Sequence, residues 1–395
     1  MEKSVPEDVT IRHIEREARK LRRSQHALAF LSLVVGAGYL GVMIAWGSTR
    51  LRDWAAGVSG GAWRQVFWYL LVFTLLYNLV HFPVSWLRGW VVQKRFRLAR
   101  NRFRRWLWSQ VKKHAVSALF VVILGEFLYL FLRLSAGTWW LWGWLTYVAL
   151  GLLVSRYGAR VILPLFYKRE DLEEGPLTEK IGVLLSRAGF QARSISKVIL
   201  GQDTRRANAA VTGLGAAKEV LVSDTLLELL TDREIEAVVA HEIAHLKRHH
   251  NEALVAVGAV VSFIGFVLAA GVLERWAAAM GLEGVADVAG FPLIVLVFSG
   301  LFLVLSPAMN YVSRSLERSA DLAAGAFTGA PEVLSSAISK LAENNLAQRE
   351  LPRYYELLFA SHPCPSTRKR YLEKLAAAMA RRREEDRVDG DAGDD

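Results

Sequence analysis

His241-Glu242-Ile243-Ala244-His245 is the stretch whose residue types and spacing carry chemistry most directly. At ~100° per residue on an α-helix, the two histidines lie ~40° apart and one turn along, so two imidazoles can share one tetrahedral metal ion. Glu242 lies beside them, where a carboxylate can take a proton from metal-activated water and later pass one to a leaving amine. This is metalloprotease chemistry, but the pattern fixes only three positions and its surroundings decide its meaning.

Two histidines leave a zinc ion one protein ligand short. His249 and His250 are expected to continue the same helix and so to be unable to fold back onto the ion. An H-E-x-x-H-x-x-G-x-x-H site is excluded, because Arg248 and Asn251 stand at the Gly and final His positions. The better third ligand is Glu317, in Glu317-Arg-Ser-Ala-Asp321, which an antiparallel hairpin of membrane helices can return to the His241 helix. Asp321 sits one turn further on the same face, where it can hydrogen-bond the second nitrogen of a ligand histidine and hold its tautomer. The expected cofactor is one Zn2+ per chain, since two histidines and a carboxylate with an open position suit zinc best among common ions.

The local signals agree with a helix through this motif. Thr231 and Glu234 form an S/T-x-x-E capping box, and Ile235, Val238, Val239 and Ile243 supply the apolar stripe that buries it.

The chain of 395 residues is 53% hydrophobic with 13 Trp, which is too apolar for an ordinary soluble protein and points to membrane spans. Its net charge of +11 comes from basic residues clustered beside apolar runs, so these read as topology signals and not as a nucleic-acid surface. The single cysteine, Cys364, excludes an intrachain disulfide and a Cys-based zinc site. Basic residues run to Arg23 and the apolar run that follows is membrane-spanning in length, so the N-terminus is expected to stay as an anchor and not as a cleaved signal peptide.

Residues 1–26 form a charged lead, read as an amphipathic surface helix or a partly disordered segment. Four spans are expected at 27–46, 66–87, 115–134 and 139–166, with a short Gly-containing loop from Arg50 to Arg64. Arg88 to Lys113 interleaves ten Lys or Arg with aromatics and reads as an amphipathic helix at the anionic inner leaflet. Glu126, inside the third span, is expected to line a cavity or join an ion pair.

Residues 167–252 have the composition of a soluble catalytic domain. It holds an amphipathic helix from Leu177 to Ala188, strands at Ser196–Leu200, Ala207–Thr212 and Glu219–Val222, a turn at Gly213–Ala216, and the His241 helix. Spans at 253–272 and 291–309 follow, then a C-terminal catalytic part at 311–380 and a charged, disordered tail at 381–395. Six spans put both termini on one side. Lys and Arg number seven before the first span and ten between the second and third, against three between the first and second, so the termini and the active site are expected to be cytoplasmic.

With these residues in place, the chain resembles the membrane-bound zinc metallopeptidases that include the type I CAAX prenyl endopeptidase, from about Trp86 to Arg370. The motifs that carry the resemblance are Ile162-Leu-Pro-Leu-Phe166, Leu172-Glu-Glu-Gly175, Asn208-Ala-Ala-Val211, Val220-Leu-Val-Ser-Asp-Thr-Leu226, His241-Glu-Ile-Ala-His245, Glu317-Arg-Ser-Ala-Asp321 and Ser361-His-Pro363 with Arg368. The resemblance implies that Asn208 lies on an edge strand pairing with substrate backbone. It implies that His362 and Arg368 approach the zinc, with His362 stabilising an oxyanion, and that the spans enclose a water-filled chamber. Where the prenyl proteases have His-Pro-Pro, this chain has His362-Pro363-Cys364-Pro365, and it has six spans where the eukaryotic enzymes have seven.

The expectation is a mostly α, polytopic membrane protein with about six transmembrane helices and a small α+β, zincin-like (gluzincin) catalytic domain at the cytoplasmic face of a bacterial membrane. It is expected to be a zinc metalloendopeptidase. His241, His245 and Glu317 bind metal, Glu242, His362 and Asp321 serve catalysis, and Asn208 and Arg368 bind substrate. Its partners are the bilayer and peptide or membrane-protein substrates, lipidated ones among them, and no nucleic acid. A CAAX-type processing protease and a membrane-protein quality-control protease are the alternatives within the class; a non-catalytic scaffold is the rival outside it, disfavoured by the intact ligand set.

Overall fold

A computed structural model describes residues 7–213 and 217–391. The chain opens with α1 (Glu7–Val42), which runs through a π-helical turn at Met43–Gly47 into α2 (Ser48–Val58). The lead and the loop expected at Arg50–Arg64 are thus mostly one continuous rod, broken only at Ser59–Gly61. Leu51 and Ala55, at i,i+4 spacing, are buried on α2 and keep it helical by packing against the next helix.

Next come α3 (Ala62–Trp86), a second π turn at Leu87–Val91, α4 (Val92–Arg95), α5 (Phe103–Leu134) and α6 (Trp139–Val161). The basic stretch expected to lie along the membrane surface is instead two helix ends joined by a tight turn, with Arg97 at φ 55°. Burial of Phe96 and Leu98 against Leu21 pulls this tip inward. Its arginines then hold the soluble domain, with Arg105 Nε 2.7 Å from Asp203 Oδ1. Glu126 joins no ion pair: its Oε2 is buried and accepts no hydrogen bond among the described residues.

After α7 (Leu163–Phe166) come β1 (Arg169–Asp171), α8 (Pro176–Arg187), β2 (Gln191–Val198), β3 (Ala209–Thr212) and β4 (Ala217–Ser223). The sheet order is β1-β2-β4-β3, with β2 and β4 parallel and the outer pairs antiparallel. β1 was not expected; β2 starts earlier than Ser196, and β3 starts at Ala209 because Asn208 is turned into a contact with Ser223. The turn expected at 213–216 lies, beyond Gly213, outside the described residues. β3 is an edge strand.

The rest is helical: α9 (Asp224–Leu229), α10 (Asp232–Lys247), α11 (His250–Trp276), α12 (Phe291–Thr328), α13 (Pro331–Asn344), α14 (Arg353–Phe359) and α15 (Pro365–Asp391). The tail expected to be disordered from 381 continues α15 to Asp391, while 392–395 lie outside the described residues.

Among the described residues, five helical rods are long and apolar enough to cross a bilayer: Arg12–Val58, Ala62–Arg95, Phe103–Leu134, His250–Trp276 and Val288–Thr328. The span expected at 139–166 is α6, whose four Trp carry polar indole N–H groups and suit an interface as well as a hydrocarbon core. It completes the assembly all the same. Neighbour packing runs α1 to α3 to α5 to α6 to α11 to α12 and back to α1, a closed ring.

Besides the small cluster of Leu21, Phe96 and Leu98, two larger apolar cores form among the described residues. One, built on Tyr69, Leu70, Leu132, Trp139, Ala269 and Leu273, packs α2, α3, α5, α6 and α11 together. The other fills the catalytic domain between α8, the sheet, α10 and α13, with Ile181, Leu185, Val220, Leu226, Ile235 and Leu334. Each fully buried side chain of this kind contributes about 1.5–3 kcal/mol against exposure.

Candidate metal and catalytic centre

α10 begins as its sequence requires. Glu234 Oε2 accepts hydrogen bonds from the Thr231 backbone amide and hydroxyl, both at 3.0 Å, closing the capping box. Ser336 and Lys340 of α13 donate to the same carboxylate at 2.7 and 2.8 Å, so the cap also fixes α10 against α13. Ile235, Val239 and Ile243 bury one face, which turns His241 and His245 toward α12.

α12 returns antiparallel beside α11. At their crossing a Cβ on Gly265 would stand 2.5 Å from the Phe298 ring, so the close approach of these two helices needs glycine there. The same helix carries Glu317 beyond its apolar part and delivers it to α10. His241 Nε2 and His245 Nε2 are 3.1 Å apart, and Glu317 Oε2 and Oε1 lie 3.5 and 3.6 Å from them. Tetrahedral zinc with bonds near 2.0–2.1 Å needs ligand atoms roughly 3.3 Å apart, and the two imidazole nitrogens, each with a carboxylate oxygen of Glu317 near that separation, make a group that could hold such an ion.

Asp321, one turn along α12, is fully buried. Its Oδ1 lies 2.8 Å from His241 Nδ1, oblique to the ring N–H, so the contact is an ion-pair approach more than an aligned hydrogen bond. Arg368 of α15 grips the carboxylate with two nitrogens, Nε at 2.7 Å, and the Tyr371 hydroxyl donates to it as well. The guanidinium expected to meet substrate is thus committed to Asp321, although Arg368 also lines the cavity.

The electrostatics follow from burial and neighbours. Burial alone pulls His241 down, but the Asp321 and Glu317 carboxylates outweigh it and push the ring up to about 9. His245, half-buried and beside His241, is held down at about 4 by desolvation first and then by its neighbour, a neutral imidazole at neutral pH. Glu242 is raised, chiefly by desolvation.

A cavity of about 770 Å3 opens over these groups, lined by Asn208, Glu242, Glu317, His362 and Arg368 among others. Asn208 immediately precedes β3; its backbone amide donates to Ser223 Oγ at 2.9 Å and its carbonyl accepts from Ser223 N at 3.0 Å. That clamp leaves the Asn208 side chain exposed in the cavity beside a free strand edge. His362 is 63% exposed, with Nδ1 3.1 Å from Glu317 Oε1.

His250 lies where the sequence pattern did not put it. α10 ends at Lys247, His249 takes a left-handed conformation at φ 55°, and α11 starts afresh at His250. The break brings His250 Nδ1 to 3.0 Å from His245 Nδ1. Tyr371 was likewise missed; nothing in its local sequence marks it as a partner of Asp321.

A His-His-Glu group that could hold a metal ion, beside the half-buried Glu242 carboxylate and joined to a ring of membrane helices, is the arrangement of an integral-membrane metallopeptidase. The chain belongs to peptidase family M48, whose model matches residues 171–376, and the model for the CAAX prenyl protease N-terminal region, described as five membrane helices, matches residues 2–168. It is 28% identical over 331 residues to the uncharacterized metalloprotease YhfN of Bacillus subtilis, covering 83% of this chain and 78% of that protein. It is 26% identical over 321 residues to CAAX prenyl protease 1 of Saccharomyces cerevisiae, covering 75% of this chain and 69% of that one. The crystal structure of S. mikatae Ste24p superposes with a TM-score of 0.82 at 22% identity, covering 94% of this chain and 92% of that one, so the two share a fold. Metallopeptidases of this family are zinc-dependent in general, and this chain is a multi-pass membrane metalloendopeptidase.

Proposed function

We propose that the chain holds one Zn2+ on His241, His245 and Glu317 and hydrolyses peptide bonds in peptide or membrane-protein substrates, lipidated ones among them. The observation that carries this reading is the convergence of His241 Nε2 and His245 Nε2, 3.1 Å apart, on the Glu317 carboxylate, whose Oε2 lies 3.5 Å from the first and whose Oε1 lies 3.6 Å from the second. Zinc, when bound, supplies an acidified water and a Lewis acid for the scissile carbonyl. Glu242, raised by burial, takes the proton and returns it to the leaving amine. Asp321 orients His241 and is itself oriented by Arg368, while the exposed His362 donates to the developing oxyanion. Asn208 and the free edge of β3 take the substrate backbone as an added strand.

The basic residues ahead of the first apolar run, most of them in the first half of α1, and those after α3 support a cytoplasmic active site, in a bacterial cytoplasmic membrane. The relatives named as CAAX prenyl proteases support a C-terminally lipidated peptide as the substrate class. The site is tested by zinc content of the detergent-purified protein beside Glu317→Ala. About one zinc per chain, lost in the variant, is expected; a wild type without zinc, or a variant that keeps it, refutes the ligand set. Cleavage of a farnesylated C-terminal peptide against its unprenylated twin then tests the substrate class, and equal rates refute it.

A further inference from the structure

We propose that His250 is a positioning residue for His245: it accepts a hydrogen bond from His245 Nδ1 and so fixes the tautomer in which Nε2 is free to bind metal. The inference rests on the reading of His241, His245 and Glu317 as the ligand set, and goes beyond it to a residue outside that set.

The geometry makes the case. On an unbroken helix, five residues turn through ~500°, so His250 would lie ~140° around from His245 and face away. The left-handed His249 interrupts the helix between them. Non-glycine residues adopt that conformation rarely and at a cost of order 1–3 kcal/mol, so the surrounding structure must hold it. What the break achieves is a buried contact. His250 is 4% exposed, its Nδ1 is 3.0 Å from His245 Nδ1, and the two rings meet edge-to-face with centroids 4.9 Å apart.

The direction of this bond follows from the other nitrogen. His245 Nε2 points at the site, 3.1 Å from His241 Nε2 and 3.6 Å from Glu317 Oε1. A neutral imidazole carries one proton, so an Nε2 that offers its lone pair to a metal leaves the proton on Nδ1. Two ring nitrogens at hydrogen-bond distance need one donor and one acceptor. His245 Nδ1 donates, and His250 Nδ1 accepts with its own proton on Nε2. The two ligand histidines are therefore backed differently, His241 by the charged Asp321 and His245 by a neutral ring.

The test compares zinc affinities of the full-length protein in detergent, by competition with a chromophoric chelator, alongside unfolding of the metal-free forms. His250→Phe keeps a buried ring without an acceptor, and His250→Gln restores an acceptor. Zinc binding about 10–100-fold weaker in His250→Phe is expected. His250→Gln should recover most of it, with turnover restored to both by excess zinc and KM unchanged. His250→Phe binding zinc like wild type, or His250→Gln as weak as His250→Phe, overturns the proposal. If His250→Phe does not fold, His250→Asp decides: a charged acceptor makes His245 a better donor to metal and should bind zinc several-fold tighter than His250→Gln, whereas equal affinities overturn the role. A wild type that binds no zinc overturns the ligand set and this inference with it; a wild type that binds zinc while His250→Phe matches it overturns this inference alone.

Discussion

Replacing Asp321 by Ala is expected to damage the fold and the metal site separately, and the structure sets both magnitudes. Asp321 is fully buried and is gripped by two nitrogens of Arg368, whose side chain is 17% exposed. Burial by itself lowers the Arg368 guanidinium, and Asp321 more than reverses that. Removing the carboxylate leaves this cation buried without its partner, which costs about 3–5 kcal/mol, and leaves the Tyr371 hydroxyl without its acceptor. These losses share one atom group and do not add fully, so about 3–5 kcal/mol is the expected total. Denaturant unfolding of the chelated, metal-free protein in detergent measures it without interference from zinc. The paired variant Asp321→Leu with Arg368→Met removes both charges and should recover stability to within about 1 kcal/mol of wild type. Zinc affinity should stay about 10–100-fold weak in both, because His241 Nδ1 has lost its partner in both. If Asp321→Ala unfolds within about 1 kcal/mol of wild type, or the paired variant is no better than the single one, the buried pair does not hold α12 to α15 as argued.

Glu242→Gln should keep its zinc and lose turnover, read by metal content and peptide cleavage on one sample; residual cleavage near wild-type rate removes Glu242 from the base role. A general base must be deprotonated, so kcat/KM should fall as pH drops through the raised Glu242 value, placing the acid limb above the ordinary glutamate value of about 4.3. Glu234 makes the opposite linkage: burial works against its carboxylate, but Lys340, the Thr231 amide and Ser336 hold it down at about 2. Its stabilisation is therefore full above about 4.3 and lost as pH falls toward 2, and Glu234→Ala should cost about 0.5–2 kcal/mol at neutral pH, with little further change on acidification. Asn208→Ala should raise KM about 3–10-fold with kcat little changed, the loss of one neutral hydrogen bond to substrate; an unchanged KM on a peptide long enough to reach β3 would contradict strand addition.

The residues that speak for this enzyme in its sequence are those whose neighbours lie on the same element. His241 and His245 at i,i+4, Glu317 and Asp321 at i,i+4, and Thr231 with Glu234 at the cap are all one-turn relations, fixed by helix geometry wherever the helix lies. Apolar runs likewise announced the membrane rods, because span length is a local property. Local spacing failed where packing overrode it. The loop expected at Arg50–Arg64 is mostly helix because Leu51 and Ala55 pack against α3, and the basic stretch after Arg88 folds into a tip because Phe96 and Leu98 find Leu21.

Only the tertiary structure decided that Glu317 lies 3.5 Å from His241, that Arg368 and Tyr371 converge on Asp321, and that His250 returns to His245. The first two join segments 76 and about 50 residues apart, and the third turns on a single left-handed residue between two helices. The physical reason is the same in each case: a sequence specifies which side chains share a helix face, whereas approaches between helices depend on how their apolar surfaces close over one another.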